Sequence, residues 1–334
     1  MKAWQIIEPK KMQLAEKTLT AGPGEVKVRI TKAGITSTDI ALFGGSSDAR
    51  YPIVPVRTAA GVISEPSDST FLKGEKVYMS PYLVKKAASS HYSELPVDTR
   101  IEVMGINKDG FMGDYVIIPA ENVISLPEGV TEQEVIFTEY IAIALEALEV
   151  LGVTKNEYVV ILGANPLGNI TAQLAMYYRA IPIVVDTDAD KLETVADCGI
   201  YYTINPTTDD CINKVLSITG GKMAEHVLIE SKTVQPIYSA FSLACQGGNV
   251  GIMGYNTFVD KLEINASPIL KKQLSMRGIN NGCRKIFQAM NILSNNVLTL
   301  SKIPIRHVAF ADVPEIMSEL HTYPWAYQKV IVDC

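Results

Sequence analysis

The segment Tyr158–Asp186, YVVILGANPLGNITAQLAMYYRAIPIVVD, restricts the fold more than any other part of this 334-residue chain. It opens on the β-branched run Val159-Val160-Ile161-Leu162, the pattern of a strand buried on both faces. The turn Gly163-Ala164-Asn165-Pro166-Leu167-Gly168 follows. Leu167, Ile170, Leu174 and Tyr178 then recur at helical spacing, with Pro166 suited to the first helical position. A second apolar run, Ile183 to Val185, ends on Asp186. Strand, turn, helix, strand and acid in this order are the layout of a dinucleotide-binding βαβ unit. Such a turn brings backbone N–H groups and a helix N-terminus against a diphosphate. Gly163 makes the tight turn, and Gly168 lets the helix approach the strand. Asp186, 23 positions after Gly163, can accept from both ribose hydroxyls and would repel a 2′-phosphate, which favours NAD(H) over NADP(H). Asn165 departs from G-x-G-x-x-G at its middle glycine, so its side chain must either point away from the phosphates or bond to them. The competing reading is an ordinary βαβ turn that binds nothing.

The flanking sequence extends this unit. Strand patterns recur at Tyr202–Ile204, Val227–Glu230, Val250–Met253 and Leu274–Arg277, with helical stretches between most of them. Six strands with crossovers predict an α/β fold, a doubly wound parallel Rossmann sheet. Residues 1 to about 130 read as mostly β, with Val26, Val28 and Ile30 alternating after the Pro23-Gly24 turn. Leu83 to Lys108 is polar and poorly periodic, the pattern of a long surface lobe. Thr131 and Glu134 form a capping box before a long apolar helix. From about residue 281 the texture changes again, and the tail is expected to return to the first domain.

Composition excludes several classes. A net charge of −6 argues against nucleic acid as the main partner. No apolar run reaches the roughly 18 residues of a membrane span, and the N-terminus lacks a signal-peptide pattern. The five cysteines, Cys198, Cys211, Cys245, Cys283 and Cys334, show no C-x-x-C, hence neither a disulfide framework nor a zinc cluster. The expectation is a cytoplasmic protein acting on a small-molecule substrate, with no nucleic-acid and no membrane partner.

End to end, the chain resembles the medium-chain dehydrogenase/reductase superfamily in its alcohol, sorbitol and threonine dehydrogenase branch. The resemblance rests on KAGITSTDI, PIVPVRTAAGVI, GFMGDYVIIPAENVISLP, TEYIAIALEAL, GANPLG, DTDADKLE and MSELHTYPWAYQKVIV. It implies a GroES-like β-barrel catalytic domain (1–140 and 281–334) around a Rossmann NAD-binding domain (141–280), assembled as a homodimer or homotetramer. It also places Asp186, Thr187 and Lys191 at the adenosine ribose. Met253, Gly254 and Ile279 fall where backbone groups hold the nicotinamide amide.

The departures lie at the metal. The motif C-G-T-D reads Thr36-Ser37-Thr38-Asp39 here, and G-H-E reads Val56-Arg57-Thr58. The third ligand position holds Glu139, as in polyol dehydrogenases, followed by Tyr140. Zinc takes thiolate, neutral imidazole or carboxylate; Thr36 and Arg57 offer none of these, and no cysteine precedes Cys198. The expectation is no metal. The relay histidine is replaced by Ala41, while Thr38 keeps the hydroxyl that meets the substrate oxygen.

Three residues are the catalytic candidates, each with a plainer alternative. Arg57 could stabilise an oxyanion or bind an anionic group, or simply pair with a carboxylate such as Glu139. Glu139 could exchange a proton, or serve as a structural carboxylate. Thr38 could relay a proton, or close a local turn. Three functions remain open: a zinc-independent NAD(H) oxidoreductase of a carbonyl/alcohol pair, a zinc-independent reductase of an activated C=C bond, and a non-catalytic dinucleotide-binding protein.

Overall fold

The computed structural model describes residues 1–45, 50–84, 101–230, 240–253, 266–324 and 326–334. The chain packs as two compact units, Met1–Phe137 with Ile305–Cys334, and Thr138–Pro304.

The first unit begins with the hairpin β1 (Lys2–Glu8) and β2 (Lys11–Glu16), then the long strand β3 (Glu25–Ile35) and the short helix α1 (Ser37–Gly44). There follow β4 (Thr58–Glu65), β5 (Lys76–Met79), β6 (Tyr82–Val84), β7 (Ile101–Val103), β8 (Tyr115–Pro119) and β9 (Val123–Ser125). β3 organises this sheet because its alternation is real in three dimensions: Val26, Val28 and Ile30 are buried, while Arg29 between them is exposed. β4 and β8 both pair with it antiparallel. Thr131 and Glu134 make the expected reciprocal cap, with the Thr131 N–H and hydroxyl donating to Glu134 and the Glu134 N–H donating to Thr131 Oγ1.

The second unit carries α2 (Thr138–Val150), β10 (Tyr158–Leu162), α3 (Pro166–Tyr177), β11 (Ile181–Val185), α4 (Ala189–Asp197) and β12 (Tyr202–Ile204). It continues through α5 (Cys211–Ile218), β13 (Ala224–Ile229), β14 (Ala244–Met253), α6 (Ala266–Lys272), β15 (Ser275–Ile279) and α7 (Ile286–Ser294). Its strands pair in parallel in the order β12-β11-β10-β13-β14-β15. β10 lies inside, with Val159, Val160 and Ile161 fully buried. Successive crossovers run from β10 toward β11 and β12 on one side and toward β13 to β15 on the other. The strand order therefore reverses between β10 and β13, and ligands of such sheets bind outside the carboxyl ends of the strands at that point.

The chain returns to the first unit through β16 (Ile305–Ala309), α8 (Val313–Thr322) and β17 (Lys329–Asp333), which adds to β3.

Two boundaries differ from expectation. The return comes at Ile305 and not near 281, because α7 buries Ile286, Ala289, Met290, Ile292 and Leu293 within the second unit. It is tied to α2 there by the Thr138 hydroxyl on Met290 Sδ (3.6 Å) and by Arg284–Glu146 and Lys285–Glu149 ion pairs. The expected lobe at 83–108 is also narrower on its far side. β6 pairs with β7, Met104 is buried, and Gly105 packs on Val56. Residues 85–100, with His91, lie outside the described residues. Among the described residues no helix is long and apolar enough to cross a membrane.

Candidate functional site

The glycine turn joins β10 to α3 at the reversal point, as its spacing predicts. Gly163 has φ 126°, a conformation open to glycine. At Gly168 an added Cβ would lie 2.0 Å from the Gly163 carbonyl oxygen, so only glycine allows α3 to sit this close to the turn. Pro166 occupies the first turn of α3, where its missing N–H costs nothing. Leu167 and Gly168 are buried beside it.

Asp186 follows β11 and is built into the turn. Its Oδ2 accepts from the Ala164 N–H at 2.7 Å, and its Oδ1 accepts from the Asp188 N–H at 2.9 Å. A carboxylate has about four acceptor sites, so both oxygens retain capacity for hydroxyl donors. Thr187 is exposed, and its carbonyl accepts from Asn205 Nδ2 at 3.2 Å. Lys191, in the first turn of α4, directs its ammonium to Asp188 Oδ2 at 3.4 Å. Asp188 is the N-cap of the same helix and accepts from the Asp190 and Lys191 N–H groups. On the other flank, Met253 ends β14 and Ile279 ends β15, paired in register and both buried. Gly254 lies outside the described residues.

Asn165 resolves the question raised by its place in the motif. Its side chain does not cap α3; Nδ2 donates to Glu230 Oε2 at 2.8 Å. Glu230 directly follows β13, and its N–H donates to the Leu162 carbonyl at 3.0 Å. The sequence reading gave Glu230 only a strand end; its signal was an acid closing an apolar run beside the turn.

In the first unit, α1 and the loop before β4 are joined by one buried carboxylate that sequence reasoning overlooked. Asp39 accepts from the Thr36 N–H (2.7 Å), the Thr36 hydroxyl (2.6 Å) and the Val56 N–H (3.0 Å). The T-x-x-D spacing of Thr36 and Asp39 was the available clue. This bridge brings together the stretches that carry Thr38 and Arg57, both buried. Val56 has φ 76°, which for a β-branched residue is a genuine outlier costing about 1–3 kcal/mol. The surroundings fix it. The Phe111 N–H donates to its carbonyl at 2.9 Å, and a Cβ on Gly105 or Gly110 would approach that carbonyl oxygen to 2.7 or 2.3 Å. Arg57 therefore leaves a backbone that is pinned on both sides of the preceding peptide. Glu139 is buried in the first turn of α2, in the second unit.

Two of the histidines have structural partners. His226 meets Glu157 at 3.0 Å, and His307 lies between Asp333 and Gln133 at 3.1 Å each. Burial pushes the thiols of Cys211 and Cys334 up to about 11 and about 12 respectively, which leaves them protonated and weakly nucleophilic. Among the described residues no group of three or more His, Cys, Asp or Glu could hold a metal ion.

Comparison with known proteins places this geometry. Residues 166–295 match the zinc-binding dehydrogenase family, and residues 22–128 match the alcohol dehydrogenase GroES-like domain. An uncharacterized zinc-type alcohol dehydrogenase-like protein of Haemophilus influenzae is 27% identical over 92% of this chain and 90% of its own length. The L-galactonate-5-dehydrogenase of Escherichia coli is 24% identical over 88% of this chain and 87% of its own. Among solved structures, a Sinorhizobium meliloti dehydrogenase bound to NADP superposes with a TM-score of 0.90 at 20% identity, covering 100% of this chain and 99% of that one. The rspB alcohol dehydrogenase of Escherichia coli, complexed with NADH, gives 0.85 at 23% identity, covering 100% and 99%.

Proposed function

The chain belongs to the medium-chain dehydrogenase/reductase superfamily, and from that premise we propose that it is an NAD(H)-dependent oxidoreductase of a carbonyl/secondary alcohol pair, working without zinc. The observation that carries the cofactor half is the turn at the strand-order reversal, where Gly168 admits α3 and the Ala164 N–H pins Asp186. Gly163, Asn165, Pro166, Leu167 and Gly168 would face the diphosphate. Asp186, with Thr187 and Lys191, would take the adenosine ribose, and Met253, Gly254 and Ile279 would border the nicotinamide. Relatives with NADP and with NADH are both known; the Asp186 carboxylate, which repels a 2′-phosphate, supports NAD(H) here.

When bound, the nicotinamide supplies or accepts the hydride. The protein's own part is to meet the charge on the substrate oxygen. Thr38 offers a hydroxyl, Arg57 a guanidinium that stays protonated, and Glu139 a buried carboxyl able to exchange a proton. The donor set does not fit zinc. Thr36 offers only a neutral hydroxyl in place of a thiolate, and Arg57 brings a fixed positive charge where the family has an imidazole. Glu139, in the position polyol dehydrogenases use, together with the L-galactonate-5-dehydrogenase relative, supports a polyhydroxy substrate.

The test offers the purified protein NADH and a conjugated enone and identifies the product. An allylic alcohol is expected, with activity unchanged after chelation. A saturated ketone would move the reaction to the C=C bond. Binding of NADH without turnover of ketones by NADH or of polyols by NAD⁺ would leave a dinucleotide-binding protein.

A further inference from the structure

Asparagine is among the strongest N-cap residues, its side-chain oxygen accepting from the second or third N–H of the helix. Asn165 stands at the N-cap of α3 with the extended backbone of a cap, φ −63° and ψ 170°, yet makes no capping bond. The N–H groups it would take are those of Leu167 and Gly168. In a dinucleotide site those same groups must face diphosphate oxygens. A capping Asn165 would compete with the cofactor for them.

Glu230 engages the Asn165 side chain instead. Its Oε2 accepts from Asn165 Nδ2 at 2.8 Å. The carboxylate can stand there because Gly163 lacks a side chain: a Cβ at Gly163 would come within 2.7 Å of the same Oε2. The Glu230 backbone is fixed by its N–H on the Leu162 carbonyl at 3.0 Å. The first glycine of the turn thus makes room for an acid, and the acid disposes of the residue that replaced the middle glycine.

We propose that Glu230 is a positioning residue of the dinucleotide site, drawing the Asn165 side chain aside so that the first N–H groups of α3 stay open to a diphosphate. The inference rests on the nucleotide-binding reading above. Its test is a cycle of four proteins: wild type, Asn165→Ala, Glu230→Ala and the double variant. NADH affinity is measured by fluorescence titration, and exchange of the Leu167 and Gly168 amides by NMR without nucleotide.

Removing the Glu230 charge near a diphosphate affects affinity by itself, but that effect is common to both Glu230→Ala proteins and cancels in the cycle. Loss of Asn165 should improve NADH binding about fivefold more in the Glu230→Ala background than in the wild type, the worth of one side-chain cap. In the absence of nucleotide, the two amides should exchange more slowly in Glu230→Ala, where Asn165 falls back onto the helix, and not in the double variant. An equal effect of Asn165→Ala in both backgrounds, with unaltered amide exchange, overturns the inference. If no protein of the four binds NADH or NADPH, the nucleotide reading fails separately, and amide exchange alone decides whether Glu230 holds Asn165 off the helix.

Discussion

Replacing Gly168 by alanine tests the cofactor turn through a single methyl group. The added Cβ would lie 2.0 Å from the Gly163 carbonyl oxygen and 3.0 Å from its carbon, where an ordinary contact begins at 3.4 Å. The turn and the start of α3 must separate by more than about 1 Å, and neither atom is the end of a flexible side chain. Overpacking of this kind costs about 1–3 kcal/mol. In a unit the size of Thr138–Pro304 each kcal/mol lowers Tm by about 2–4 °C, so a fall of about 2–12 °C is expected. The function should suffer more than the fold. The displaced N–H groups are those proposed to face the diphosphate, and an error of ~1 Å can cost about a hundredfold. The assay is a thermal melt with an NADH titration, run beside Gly278→Ala on β15. There a Cβ meets nothing within 4 Å and φ is not left-handed, so the control should be neutral or gain a few tenths of a kcal/mol. If Gly168→Ala melts and binds NADH as the control does, the close-packing argument is wrong.

Three further outcomes are expected. Asp186→Ala should shift the kcat/KM ratio toward NADPH by about tenfold or more, the scale of one like-charge contact removed; an unchanged ratio would show that Asp186 does not select the cofactor. Asp39→Ala removes the acceptor of three hydrogen bonds that join α1 to the Val56 loop, and should cost about 3 kcal/mol or more in urea unfolding, with Asp39→Asn milder. Glu157 should contribute to an acid limb of stability. Burial raises its carboxyl, but hydrogen bonds from His226 and the Thr154 N–H outweigh that and hold it below the ordinary 4.5. Its contribution is therefore complete above about pH 4.5 and lost as pH falls through the lowered value. Glu157→Gln should flatten urea midpoints over that window, and an unaltered acid limb would contradict the assignment.

The Rossmann unit was legible because its signals are local. Val159–Leu162, the glycine turn and the helical spacing after Pro166 each fix backbone geometry within a few residues, and β10 and α3 follow them. The place of Asp186 at the end of β11 was legible for the same reason. The partners of these residues were not, because they come from distant parts of the chain. Asn165 announced a problem at the turn, but its solution, Glu230, lies 65 residues on and becomes a neighbour only when β13 pairs with β10. The T-x-x-D spacing of Thr36 and Asp39 could have marked Asp39 as a capping residue of α1, while its bond to Val56 depends on where the next loop passes. The late return of the chain was missed because α7 has an amphipathic pattern that could have packed on either unit; its buried Ile286, Ala289, Met290, Ile292 and Leu293 commit it to the second.

Val56 occupies a glycine's backbone conformation without being a glycine. The resemblance puts glycine at that position, and here valine holds a left-handed φ. Its shape is therefore imposed by the neighbours, the Asp39 carboxylate on one side and the Phe111 N–H on the other. A loop governed in this way acts as a mould: what it holds can be exchanged while its outline stays. Exchanging the Arg57 side chain should therefore leave the Val56 conformation in place. Chemistry at this position is thus a matter of which side chain is mounted, decided separately from the fold that mounts it.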